Sequence, residues 1–260
     1  VREFTEIKYE FKDGLAQVTI NRPERLNSLG MNLAEEFAAL GDALIDEKRV
    51  RVVLLTGEGR AFSTGRDLKE SASHTPEEAD RYQLLGMDTV TKWENLPMPT
   101  IASINGHAFG WGMEIALACD IRLAAQEATL CFPETALGVF PGAGGTVRLP
   151  RLILPGVAKE LIYTAKRFDG KEAERIGLVN RSYPSNRLMD ESTAIAEAIA
   201  TNGPLGVRAA KKVITQTQNM SMAQAIEYSN AVRMPLNFTD DFSEALVAFR
   251  EKRKPNFLGK

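Results

Sequence analysis

The chain predicts an α/β fold in which strands alternate with helices over the first ~150 residues, followed by ~100 helical residues. Two observations carry this. Short apolar runs ended by glycine or polar turns alternate with segments of helical periodicity. Beyond Pro155, one-sided apolar stripes follow one another.

Residues 6–11 and 15–20 read as paired strands around the Asp13-Gly14 turn. Asn21-Arg22-Pro23-Glu24-Arg25 breaks the pattern. Residues 32–46 read as a helix with Leu33, Phe37, Leu40 and Leu44 on one face. Residues 50–56, apolar apart from Arg51 and Thr56, read as a strand buried on both faces. Thr64-Gly65-Arg66-Asp67 reads as a turn, 76–94 as a helix and 100–104 as a short buried strand. A helix is expected over 110–118, strands over 120–124 and 129–132, and helix starts at 133–136 and 144–149. The later apolar faces fall on 188–200, 205–218 and 222–234, then on Phe242, Ala245, Leu246 and Phe249. Such faces must be buried, on their own body or on another subunit.

The 260 residues, 44% hydrophobic and 25% charged, suffice for a substantial core and argue against disorder. A net charge of −2 speaks against nucleic acid as a partner, and no apolar run is long enough to span a bilayer. Val1-Arg2-Glu3-Phe4 does not read as a signal peptide. Cys119 and Cys131 are too few for a disulfide framework and read as reduced, buried thiols of a cytoplasmic protein. His74 and His107 lack a ligand cluster, so no metal is expected.

Nucleotide motifs fail. There is no G-x-x-x-x-G-K-[ST], and Gly142-Ala143-Gly144-Gly145-Thr146-Val147 misses the last glycine of G-x-G-x-x-G. More informative are two glutamates twenty residues apart, each beside a glycine-rich turn: Glu114 after Gly110-Trp111-Gly112, and Glu134 before Gly138 and Gly142. Each alone also fits an ordinary acidic residue near a helix start. Phe109, Trp111, Phe132 and Phe140 fit either core or pocket wall. Taken together, the turns at 61–67 and 104–112 can present backbone N–H groups to an oxyanion, and two carboxyls can divide acid and base work.

These residues resemble the enoyl-CoA hydratase/isomerase (crotonase) superfamily from about Ile7 to Phe257. The likeness rests on Asn21-Arg22-Pro23, Ala61-Phe62-Ser63-Thr64-Gly65-Arg66-Asp67-Leu68, Pro99-Thr100-Ile101-Ala102, Asn105-Gly106 and the stretch 110–120. It continues through Pro133-Glu134, Pro141-Gly142-Ala143-Gly144-Gly145-Thr146, Gly170-Lys171-Glu172-Ala173 and 249–257. The resemblance implies a spiral of β-β-α units over 1–190 that holds the CoA and acyl site. It also implies a helical region over 191–260 that serves oligomerisation and closure of the CoA site.

The resemblance further implies an acyl-CoA thioester and water as partners, no separate cofactor, and a homotrimer or homohexamer. Glu114 matches the water-activating base and Glu134 the proton donor. The oxyanion-hole N–H groups match Arg66 and Trp111. CoA contacts match Arg25, Leu26, Ser63, Gly65, Phe249 and Lys252, and an acyl pocket is expected from Trp111, Phe132 and Phe140. Two positions depart from the family pattern: Trp111 stands where hydratases commonly have Gly, and Arg66 where a small residue is usual. The implied reaction is hydration of a 2-enoyl-CoA. Alternatives are thioester hydrolysis, alone or with hydration of a substrate such as methylthioacryloyl-CoA, and hydration of branched substrates such as methylglutaconyl-CoA, which 142–179 most resembles. A silent acyl-CoA-binding scaffold is the non-enzymatic alternative.

Overall fold

The computed structural model describes residues 4–260, so Val1 to Glu3 lie outside the described residues. The first hairpin forms as its turn chemistry requires. Strands β1 (Ile7–Lys12) and β2 (Leu15–Ile20) pair antiparallel in register Lys12↔Leu15. Asp13 and Gly14 between them both have positive φ, the conformation a tight hairpin needs.

After helix α1 (Met31–Asp46), the chain repeats one pattern. A strand enters a first sheet, a short strand enters a second sheet, and a helix or turn returns. Strand β3 (Val52–Gly57) is followed by β4 (Ala61–Ser63) and helices α2 (Leu68–Ser71) and α3 (Pro76–Glu94). Strand β5 (Thr100–Ile104) is followed by β6 (His107–Phe109) and α4 (Trp111–Ala118). Strand β7 (Ile121–Ala125) is followed by β8 (Thr129–Cys131), a 3-10 turn (Glu134–Leu137) and α5 (Gly145–Leu152). Then come α6 (Pro155–Thr164), β9 (Phe168–Asp169), α7 (Gly170–Arg175) and β10 (Arg181–Tyr183).

The result is a six-stranded sheet ordered β1-β2-β3-β5-β7-β10 and a four-stranded sheet ordered β4-β6-β8-β9. From β2 onward the first sheet is parallel. Strand β3 is buried at all six positions, which accounts for the apolar run of its first four residues, 52–55.

Helix α8 (Ser185–Ala200) packs on β3, β5 and β7 through buried Leu188, Ser192, Ala196 and Ala200. The expected division at residue 190 therefore falls inside a helix that belongs to the sheet. Helices α9 (Pro204–Gln216), α10 (Met222–Arg233) and α11 (Asp240–Glu251) follow it. Their apolar faces are largely uncovered within one chain: Ile214, Met222, Ile226, Leu246 and Phe249 are exposed. Among the described residues no helix is long and apolar enough to cross a membrane.

Two packing contacts set the site's walls. Helix α3 begins on a capping box of Thr75 and Glu78 and lies against α1 and α4. Phe37 of α1 meets Trp93 of α3 at 5.0 Å and Trp111 of α4 edge-on at 5.4 Å between ring centroids.

Candidate active site

The two glycine-rich turns converge. Gly65, with φ +85°, lies so close to the other turn that a Cβ there would come 2.7 Å from Phe109 O and 3.2 Å from Trp111 N. Only glycine fits this conformation and this approach. Beside it, Leu29 N donates to Gly65 O at 2.7 Å and Asp67 N donates to Leu29 O at 2.8 Å. This parallel bridge engages the residues flanking Arg66, so the N–H of Arg66 itself points off the other edge. Trp111 is the first residue of α4, whose leading N–H groups have no helical acceptor. Neither the Arg66 nor the Trp111 backbone N–H donates to a protein acceptor among the described residues. Two free donors thus border one cavity, with the positive end of the α4 dipole added.

The cavity has a volume of about 350 Å³, and Arg66, Trp111, Glu114 and Glu134 all line it. Glu114 is only 4% exposed. Its Oε1 accepts the Gly145 backbone N–H at 2.9 Å. Burial pushes its carboxyl up to about 7, a shift that the Glu134 charge adds to and the Gly145 hydrogen bond opposes. Glu134 opens the 3-10 turn after Pro133 and is half-buried. A Cβ on Gly110 would lie 3.1 Å from Glu134 Oε1, so this carboxyl reaches the turn that carries the Trp111 donor. Its Oε2 has no partner among the described residues, and burial raises its pKa also. Two carboxyls of raised pKa from different elements therefore face the space beside two free N–H groups.

Other expected site residues are distributed unevenly. Gly65 lines the cavity. Ser63 is fully buried at the end of β4, where its Oγ accepts the Gly65 N–H at 3.3 Å. Arg25 and Leu26 end a 3-10 turn, and Leu26 O accepts the Thr64 N–H at 3.2 Å, which sets this turn against the 64–67 turn. Phe140 lines the cavity near its exposed rim. Phe132, expected on the wall, is instead fully buried in the core and does not line the cavity. Phe249 and Lys252, at the end of α11, lie outside the residues that line it.

Trp111 is 5% exposed; its indole N–H donates to Gly86 O at 3.1 Å, so the ring joins core to wall. One wall has no counterpart in the sequence expectations: Tyr82, Gln83, Gly86 and Met87 of α3. Their spacing of one, three and four places them on one helical face, which is the signal that would have found them.

Such an arrangement is chemically suited to polarising a carbonyl and moving protons beside it. The chain belongs to the enoyl-CoA hydratase/isomerase family, whose model matches residues 10–260. The short-chain-enoyl-CoA hydratase of Clostridium acetobutylicum is 37% identical over 97% of each chain. The mitochondrial methylglutaconyl-CoA hydratase of Homo sapiens is 38% identical over 95% of this chain and 74% of its own. The crystal structure of an enoyl-CoA hydratase from Bacillus anthracis superposes with a TM-score of 0.95 at 40% identity, covering 98% of this chain and all of that one.

Proposed function

We propose that the protein adds water to a 2-enoyl-CoA thioester to give a 3-hydroxyacyl-CoA. One observation carries the reading: Glu114 and Glu134 face one cavity beside the free N–H groups of Arg66 and Trp111. The thioester oxygen accepts from both N–H groups, which draws electron density from the β-carbon. Glu114 takes a proton from water as its oxygen attacks that carbon. The electron pair of the double bond moves toward the carbonyl as an enolate, which the two donors stabilise. Protonated Glu134 then delivers a proton to the α-carbon. Burial raises both carboxyls above their ordinary values, which favours sharing one proton between them.

The donors are worth ~3 kcal/mol each in such sites and acid–base catalysis ~10²–10⁴-fold. The unpaired buried thiols fit a cytoplasmic setting. The exposed apolar faces of α9 to α11 fit a trimer or hexamer, in which Phe249 and Lys252 serve the CoA end of a neighbouring site.

The test is purified protein with crotonyl-CoA, following loss of the enoyl absorbance and release of free thiol together. Loss of absorbance without thiol supports hydration. Thiol release in step with substrate loss moves the reaction to thioester hydrolysis, and no turnover of any short enoyl-CoA refutes the proposal.

A further inference from the structure

The cavity holds a positive charge that the hydration chemistry does not use. Arg66 borders the cavity with its backbone N–H, yet its half-buried side chain is also bound to residues that line it. The guanidinium is held in place by neutral groups. Its Nε donates to Ser71 Oγ at 2.8 Å and its Nη1 to Gln83 Oε1 at 3.0 Å. Its carbon sits 4.5 Å from the centroid of the Tyr82 ring. Tyr82 is fixed in turn, since its hydroxyl donates to Leu29 O.

No carboxylate lies within ion-pair distance of Arg66 among the described residues. The adjacent Asp67 is turned away: it caps α2 through the Lys69 and Glu70 N–H groups and faces Arg22 at 3.6 Å. Arg148, in α5, shows the contrasting case. It makes a two-pronged pair with Glu94 at 2.9 and 2.7 Å. Arg66 is thus a preorganised fork with unused donors, held among Ser71, Tyr82 and Gln83, three residues that line the cavity. The neighbouring wall residues Gly86, Met87 and Leu68 offer no compensating group.

We infer that Arg66 selects enoyl-CoA substrates whose acyl chain carries a carboxylate at its far end. The inference rests on the hydratase reading, because it places the thioester carbonyl at the Arg66 and Trp111 N–H groups. The guanidinium then lies no more than one arginine side chain from the carbonyl oxygen. A carboxylate on a short acyl chain falls within that reach. A partly desolvated arginine gains most from an anion that approaches with two oxygens in the plane of the fork. The anionic end of CoA is the other source of such oxygens, and the experiment separates the two.

The measurement is the ratio of kcat/KM for glutaconyl-CoA to that for 2-pentenoyl-CoA, which has the same number of acyl carbons and no charge. A ratio of ~10 or more is expected in the native protein, the size of a charge-assisted hydrogen bond. Arg66→Gln brings it close to one, and Arg66→Lys retains part of it. Gln83→Glu sets a carboxylate against the same guanidinium without touching residue 66, and it also lowers the ratio.

Calorimetric binding of glutaryl-CoA against valeryl-CoA gives a reading independent of turnover, because neither has a double bond to hydrate. A preference for glutaryl-CoA in a protein that hydrates nothing would defeat the hydratase reading and keep the anion site. Equal use and equal binding of charged and neutral acyl chains overturns the inference. So does an Arg66→Gln variant that weakens both members of each pair alike, the result expected if the guanidinium serves CoA phosphates or the enolate.

Discussion

Glu114 and Gly145 are matched atom to atom. The Gly145 N–H donates to Glu114 Oε1 at 2.9 Å, and a Cβ on residue 145 would stand 3.0 Å from that same oxygen and 2.7 Å from Pro141 Cβ. Gly145 is the first residue of α5, so the carboxyl is anchored on a helix start. Gly145→Ala should therefore displace the carboxyl or the turn at 141. The expected outcome is a kcat at least ~10-fold lower with a smaller change in acyl-CoA affinity, as misplacement of a catalytic group gives. Steady-state kinetics beside calorimetric binding of butyryl-CoA checks it; unchanged kcat would mean that the base needs no such anchor.

Removing either carboxyl tests the division of labour. Glu114→Gln and Glu134→Gln should each lower kcat by ~10²-fold or more while acyl-CoA affinity changes little. Near-normal kcat in either folded variant would sink the two-glutamate mechanism. The two should also differ in partial reactions. Exchange of the α-hydrogen of a saturated acyl-CoA with deuterated solvent needs Glu134 more than Glu114, because only Glu134 is assigned to the α-carbon.

Much of this site is legible in the sequence, for identifiable reasons. Helix α3 has the bounds expected from the sequence, 76–94, and the structure shows Pro76 opening it behind the Thr75–Glu78 capping box. The turns at 64–67 and 110–112 announced themselves by glycine. Strands β4 and β6 were read only as parts of turns. Each has three residues, too few for periodicity, and each exists through parallel pairing with a strand distant in sequence. Phe132 and Phe140 looked alike in the sequence, yet one is fully buried and the other sits at the rim. Their difference depends on β8 entering the second sheet, which no local pattern shows. The α3 wall stayed hidden for a related reason: a helix periodicity tells which face is buried, not what it is buried against.

The raised pKa of Glu114 makes a stability prediction with a definite sign. Its folded value of about 7 exceeds the 4.5 of an ordinary glutamate. Between these pH values the folded protein holds more protons than the unfolded chain at this site. The stabilising contribution is complete below the unfolded pKa and is lost as pH rises through about 7. At pH 8 the native protein carries a buried charge costing up to roughly 3 kcal/mol. Glu114→Gln keeps an oxygen for the Gly145 N–H and removes that charge. Its Tm relative to the native protein should rise between pH 5 and pH 8 by roughly 5 °C. A Tm difference that does not change with pH would show that this carboxyl is not strained by burial.

Trp111 serves two structures at once, so its replacement should show two effects. The indole packs edge-on against Phe37 and donates to Gly86 O, yet it also lines the cavity. Trp111→Gly should cost ~3 kcal/mol or more of stability, as large-to-small core changes do. The backbone N–H survives, so hydration should persist in the folded fraction. The opened wall should raise kcat/KM for longer or bulkier enoyl-CoAs relative to crotonyl-CoA. Thermal melting with a substrate series measures both, and an unchanged preference in a destabilised protein would rule out the wall role.

Assembly can be tested through Phe249. In one chain this residue is 86% exposed, as is Phe238, and neither lines the cavity. Together with Ile214, Met222, Ile226 and Leu246 they leave α9 to α11 with more exposed apolar side chains than a monomer tends to carry in one region. Sedimentation should therefore give a trimer or a hexamer at micromolar concentration, and a stable monomer would refute this. The same residue links assembly to binding. If Phe249 reaches the CoA end of a neighbouring site, Phe249→Ala should weaken acyl-CoA binding ~10-fold, the scale of losing a well-buried aromatic contact. Binding should also weaken on dilution below the assembly midpoint. Full affinity in a Phe249→Ala protein that still assembles would confine this residue to the subunit contact.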